Sequence, residues 1–167
     1  ITIPSGVTIA NSGTATGFGA NTPAFFVYLG SDQTGITAGS YTKVLFDSED
    51  VDTNSAFASN KFTVPSGEGG KYFVALEIQM NADGGAGSAQ VGSARIYKNG
   101  SVFINGGIVD YRSNNGQKLH ANVSAILDLS ASDYLEGYGE LHTSSGNITF
   151  KSSNRSTRFF GYKLIGV

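Results

Sequence analysis

The chain has 167 residues, 40% hydrophobic and only 14% charged, with 23 Gly, 3 Pro, 1 Met and neither Cys nor Trp. That length suits one domain with a sizeable core, and a formal charge of −2 excludes a generally basic nucleic-acid binder and any electrostatic pull toward anionic lipid. The absence of Cys excludes a disulfide scaffold, thiolate metal sites and cysteine catalysis, while leaving the compartment open.

No apolar run approaches the ~20 residues that span a bilayer, so no membrane insertion is expected. Ile1 to Gly6 carries no basic or long apolar stretch of the kind that directs secretion, and Met80 is the sole methionine. The expectation is a piece cut from a longer chain, with an upstream segment as one of its partners.

Helical periodicity is nearly absent, and Gly, Ser, Thr and Asn interrupt the chain roughly every 8 to 12 residues, the pattern of a sandwich or barrel. Strands are predicted over residues 24–29, 41–46, 61–65, 71–80, 92–98, 102–109, 118–127, 134–142, 148–151 and 158–166. Lys98-Asn99-Gly100-Ser101 reads as a hairpin, because Asn-Gly accepts the positive φ of a type I′ turn. There is no internal repeat and no Gly-X-Y period.

Strand 71–80 places Tyr72, Val74, Leu76, Ile78 and Met80 on one face; strand 118–127 does the same with Leu119, Ala121, Val123, Ala125 and Leu127. Their opposite faces are largely polar, as in an antiparallel sandwich. Two strands differ. AFFVYL, from Ala24, and RFFGYKL, from Arg158, are apolar on both sides. Each must bury one set in its own core and hide the other elsewhere, which points to a subunit interface. Phe25, Phe26, Tyr28, Phe159, Phe160 and Tyr162 are its candidates.

The order of AFFVYL, YTKVLFD, NKFTVPSGEGGKYFVALEI, IYKNGS, LDLSASDYLEGY and the closing FFGYKLIG resembles the tumour-necrosis-factor-like jelly roll, in the branch of the complement q-subcomponent globular heads. The resemblance covers Ala24 to Val167 and implies an all-β, ten-stranded antiparallel jelly-roll sandwich that assembles as a homotrimer. Gly137 and Gly139 depart from the pattern, since the family usually has branched apolar residues there. The flavour is similar to domains at the C-terminal ends of bacteriophage tail and tail-fibre proteins. That implies a virion domain, with residues 1–23 as a β connector to a missing stalk and 24–167 as the jelly roll.

The borrowed topology puts both termini at a base and four connections at a far tip: 30–40, 81–91, 111–117 and 143–157. The tip loops supply receptor-binding candidates Asn81, Asp83, Arg112, Asn114, Asn115, Asn147, Lys151, Asn154, Arg155 and Arg158. After Glu140 the chain has cations and no acid, so Lys151, Arg155 and Arg158 are expected to form a positive crown for anionic groups of a surface glycan.

Catalytic signals are sparse. There is no G-x-S-x-G, Walker loop or H-E-x-x-H, and serines are so common that His120 or His142 with Asp110 or Asp128 makes no distinctive triad. Glu136 and Glu140 share a strand face with Tyr134 and Tyr138, which reads either as a sugar-stacking surface or as a solvated face. The acidic run from Asp47 to Asn54 aligns with a calcium loop at Asp50, Asp52 and Asn54. It fails at Ser55, where glycine is required, and at Lys61, where a bidentate Glu is required. A looser oxygen site for a hard cation around Asp47 to Asp52 is the alternative to a solvated turn, and the expectation is no metal or other cofactor. The four Asn-x-Ser/Thr matches, at Asn99, Asn122, Asn147 and Asn154, carry no meaning in a phage product. The combined expectation is a non-enzymatic trimeric fibre-tip domain that binds a host cell-surface glycan, lipopolysaccharide among them. A structural capping knob and a secreted ligand or lectin of a cellular organism are the alternatives.

Overall fold

The computed structural model describes residues 21–85, 88–111 and 117–165. Within them the chain forms β1 (Ala24–Tyr28), β2 (Gln33–Ile36), β3 (Thr42–Lys43), β4 (Ser48–Asp52), β5 (Phe57–Ala58), β6 (Lys61–Thr63) and β7 (Gly70–Ala82). There follow β8 (Ala89–Lys98), β9 (Ser101–Asn105), β10 (Val109–Asp110), β11 (Lys118–Leu129), β12 (Tyr134–Thr143), β13 (Ile148–Phe150) and β14 (Arg158–Lys163). The proposed connector falls almost wholly outside the described residues.

Two antiparallel seven-stranded sheets pack face to face. In the first, β11 pairs with one edge of β7 along its length, from Lys118–Asn81 to Leu129–Gly70. The other edge of β7 is shared: β14 takes the base half, from Tyr72 to Glu77, and β13 takes the tip half, from Met80 to Ala82. Beyond β14 lie β1 and then β4, and beyond β13 lies β2. In the second sheet β12 pairs with β8 on one side and with β6 and β3 on the other; β8 carries β9 and β10, and β6 carries β5.

All ten expected strands have counterparts here. The segment expected as one strand over 102–109 is two, because the chain leaves the ladder at Gly106. There the amide donates to the Ala94 carbonyl at 2.8 Å. A Cβ at Gly106 would stand 2.5 Å from the Asn122 carbonyl oxygen. The sequence reading missed β2, β4 and β5. β4 has three carboxylates in five residues and reads as a turn, but it is an edge strand paired only to β1, where charge is tolerated and discourages further pairing.

The core is filled asymmetrically. Tyr72, Val74, Leu76, Ile78 and Met80 of β7 are fully buried. Opposite them β12 presents Gly137 and Gly139, where a Cβ would stand 2.8 Å from Leu76 and 2.9 Å from Ile78. The departure at these glycines is therefore compensated: the volume that branched residues would supply from β12 comes from β7 and from Phe150 of β13. Tyr72 donates its hydroxyl to the Glu68 carbonyl at 2.6 Å, and burial, aided by the Glu68 charge, pushes its pKa up to about 12.

At the base, Asn99 and Gly100 adopt φ of 53° and 78°, the left-handed pair the hairpin requires. Asp133 locks this turn to the next. It receives Lys98 Nζ at 2.7 Å, Asn99 Nδ2 at 2.8 Å and the Ser130 amide at 2.8 Å, and these partners, Lys98 first, lower its carboxyl to about 2.

Two outcomes are expected. Gly139→Val forces a branched side chain into Ile78 and Phe150 and should cost about 1–3 kcal/mol, read as a lower denaturant midpoint. Asp133 has a folded pKa below its unfolded value of about 3.9, so its stabilisation is present above that pH and is lost as pH falls toward 2. Asp133→Asn should thus lower stability by on the order of 1–2 kcal/mol at pH 7, with the gap to the parent closing between about pH 4 and pH 2.

Candidate functional site

Cross-strand register decides which side chains share the outer face of the β7 sheet. Near the base one row runs Ile126, Phe73, Tyr162, and the next runs Ser124, Ala75, Phe160, Phe26, Val51. The rings form a continuous array: Phe26–Phe160 at 5.6 Å, Phe160–Phe73 at 6.4 Å and Phe73–Tyr162 at 5.6 Å. Ile126 is 64% exposed and Val51 41%. Closer to the tip the rows turn polar, with Asn122, Glu77 and Arg158 in register and His120 opposite Gln79. Of the six interface candidates, Phe26, Tyr28, Phe160 and Tyr162 lie on this face. Phe25 and Phe159 do not: they point into the core at 2% and 0% exposure, as the alternation of a two-faced strand demands.

The expected positive crown is corrected by the topology. Because β13 and β14 share one edge of β7, residues 151–157 leave the sheet at Gln79, part-way along β7. There Gln79 O accepts the Lys151 amide and the Gln79 amide donates to Thr157 Oγ1. Lys151, Asn154, Arg155 and Arg158 thus lie below the tip. Each cation among them is engaged: Lys151 with Asp32, Arg155 with Asp50 at 2.8 Å, and Arg158 with Glu77 at 2.6 Å. The Lys151 ammonium and the Ser152 backbone and hydroxyl donors hold the Asp32 carboxyl below its usual range. At the tip itself the described residues bring Asp83 beside Asn147, whose carbonyl accepts the Asp83 amide at 2.9 Å, and Asp83 accepts the Thr149 hydroxyl at 3.0 Å. Asn81 sits within β7, opposite Lys118 and Thr149, with a buried side-chain oxygen that no described group meets. Arg112, Asn114 and Asn115 lie outside the described residues.

The acidic run is a set of staples rather than a cation loop. Asp47 accepts the amides of Gly30 and Ser31, Asp50 takes Arg155, and Asp52 accepts the Ala56 amide at 2.8 Å and the Phe57 amide at 3.2 Å. Among the described residues no group of three potential metal ligands converges.

The outer face of the β12 sheet is a lattice of rings and charges. Tyr97 and Tyr138 stack at 3.9 Å, Arg95 lies 3.6 Å over the Tyr41 ring, and Lys61 lies 4.6 Å over Tyr134. Glu136 and Glu140 share this face as expected, but Glu136 is buried against Lys43 at 2.7 Å and Glu140 faces His142 at 3.1 Å. Burial and then the Glu136 charge raise the Tyr138 pKa. His120 is exposed on the other sheet, and Asp128 pairs with Lys71 at 2.7 Å. Sequence reasoning missed Tyr41, Arg95 and Tyr97 as members of this lattice. The alternation through Ser93, Arg95 and Tyr97 was the available signal.

No family model matches the chain, and no curated protein matches it. Solved structures do. Murine APRIL at pH 5.0 superposes with a TM-score of 0.59 at 9% identity, covering 84% of this chain and 98% of that one. The globular domain of zebrafish complement 1qA gives 0.53 at 15% identity, covering 85% and 97%. The chain has the jelly-roll fold of these domains. Among the described residues no helix is long and apolar enough to cross a membrane.

Proposed function

We propose that this chain is a non-enzymatic recognition domain that works as a homotrimer at the tip of a fibre, such as a phage tail fibre, and binds a glycan of the host cell envelope. The observation that carries the assembly is the aromatic array on the base half of the β7 sheet. A second, different apolar surface supports it: Phe103 and Ile108, 48% and 75% exposed, lie on β9 and the β9–β10 connection at the sandwich edge. Two unlike patches on one chain favour a heterologous contact, face against edge, which closes into a ring instead of a two-fold dimer. Three copies then convert weak single-site contacts into avidity on a repetitive surface. The superposition on murine APRIL and zebrafish complement 1qA, both animal proteins, favours a secreted ligand as the second reading.

Light scattering at two concentrations should return three times the 17.4 kDa chain mass at both. The double variant Ile126→Ser, Phe160→Ser should return a single chain while keeping a cooperative melt. A monomeric parent would remove the assembly and the avidity together. Fluorescent trimer that labels bacterial envelopes, and loses the label after glycan oxidation, would support the host-surface reading over the secreted-ligand one.

A further inference from the structure

We infer that the cleft between β4 and β5, at the sheet edge remote from β11, is a binding site for a saccharide unit carrying a free, protonated amine. The cleft is an open groove of about 410 Å³, within the ~300–1,000 Å³ usual for ligand sites. Val27, Phe46 and Phe57 form its apolar part, and Asp47, Glu49 and Asn60 stand among its polar groups.

The walls are set before any ligand arrives. Asp47 holds the 30–31 turn and Asp52 holds the Ala56 and Phe57 amides. Phe57 stacks on Phe25 at 5.8 Å and meets Phe46 edge-on at 6.1 Å, so it cannot fold into the space it lines. Asn54, Ser55, Ser59 and Asn60 all have positive φ, a cost the fold sustains on both sides of β5. Backbone strain of that kind clusters where ligands are clamped.

The charge pattern selects the ligand. Glu49 is opposite Val27 in the β1–β4 register, so it stands on the core-facing side of its strand where the covering sheet has ended. Among the described residues its side chain has no hydrogen-bond or ion-pair partner, and neither does that of Asn60. No cation lines the cleft, and the nearby ones are committed: Lys43, which donates to the Ser59 carbonyl, is neutralised by Glu136, and Arg155 by Asp50. An ammonium beside Glu49 and Asp47, hydroxyls toward Asn60 and Ser59, and an apolar ring face on Phe46 and Phe57 satisfy every group. A uronic acid or a phosphosugar would meet the Glu49 and Asp47 carboxylates with no cation in the cleft lining to receive it. The inference takes only its saccharide class from the recognition reading, and a single chain suffices for it.

The test is saturation-transfer difference NMR on the full chain with glucosamine, glucose and glucuronate, each at millimolar concentration. Glucosamine should bind about two- to fivefold better than glucose, the range an exposed ion pair supports, and glucuronate should give the weakest signal. Glu49→Gln should bring the glucosamine-to-glucose ratio to about one, and Asn60→Gly, compatible with the positive φ there, should weaken both sugars together. Unchanged melting temperatures establish that both variants fold. Equal binding of glucosamine and glucose by the parent, no binding of glucosamine, or a ratio untouched by Glu49→Gln overturns the proposal. The Ile126→Ser, Phe160→Ser variant should bind glucosamine as the parent does whether or not the trimer exists, which separates the two readings.

Discussion

The gap between the two sheets is filled mainly from one side, and much of the molecule follows from that. Leu76 and Ile78 of β7 reach so far across the sandwich that β12 can carry only glycine opposite them. Interiors tolerate neither voids nor overlaps, so the pairing of a bulky strand with a bare one fixes the register of both sheets at once. β7 is thereby buried on its inner face and paired along both edges. Because β13 and β14 divide one of those edges, the chain between them must swing out, and that excursion carries Lys151, Asn154 and Arg155 away from the tip. Glycines that looked like a weakness in the sequence are what lets the core close.

The same alternation that fills the core leaves two unlike outer faces. On the β7 sheet, side chains grade from apolar at the base to hydrogen-bonding toward the tip, so hydrophobic contact is concentrated at the end where Pro23 meets Lys163 and Leu164 meets Lys71. On the β12 sheet every ring has a neighbour already: Tyr97 with Tyr138, Tyr41 with Arg95, Tyr134 with Lys61. A face whose rings are satisfied within one chain has little to gain from a second, whereas the Phe26–Phe160–Phe73 array gains from any cover. Assembly of the β7 face against the β9–β10 edge, with the outer face of β12 left in water, is the arrangement this asymmetry favours.

The fold was largely legible because its signals are local: period-two alternation gives strands and faces, Asn-Gly gives the hairpin, and double-sided aromatics mark β1 and β14. What escaped was set by long-range geometry. The segment Ser48-Glu49-Asp50-Val51-Asp52 has the composition of a turn and becomes a strand only because β1 offers it an edge. The start of β14 at Arg158 was legible, but Lys151, Arg155 and Arg158 were placed at the tip because nothing local says that β13 and β14 share one edge of β7. Phe25 and Phe159 were grouped with their outward neighbours although alternation alone separates them. The cleft was invisible for the same reason, since it exists only where β4 outlasts the sheet that covers it.

Charge commitment finally narrows what this surface can recognise. Lys43, Lys71, Lys98, Lys151, Lys163, Arg155 and Arg158 are all held in ion pairs within the chain, and Lys61 and Arg95 lie over tyrosine rings. Exposed pairs add little stability, but recruiting one of these cations to an anionic ligand strands the carboxylate it leaves behind. Glu49 has no such obligation. Among the described residues these nine cations are engaged within the chain and Lys118 is not, while Glu49 stands unpaired beside an aromatic-lined cleft; that balance of charge is what favours an amine-bearing ligand over an anionic one in the cleft between β4 and β5.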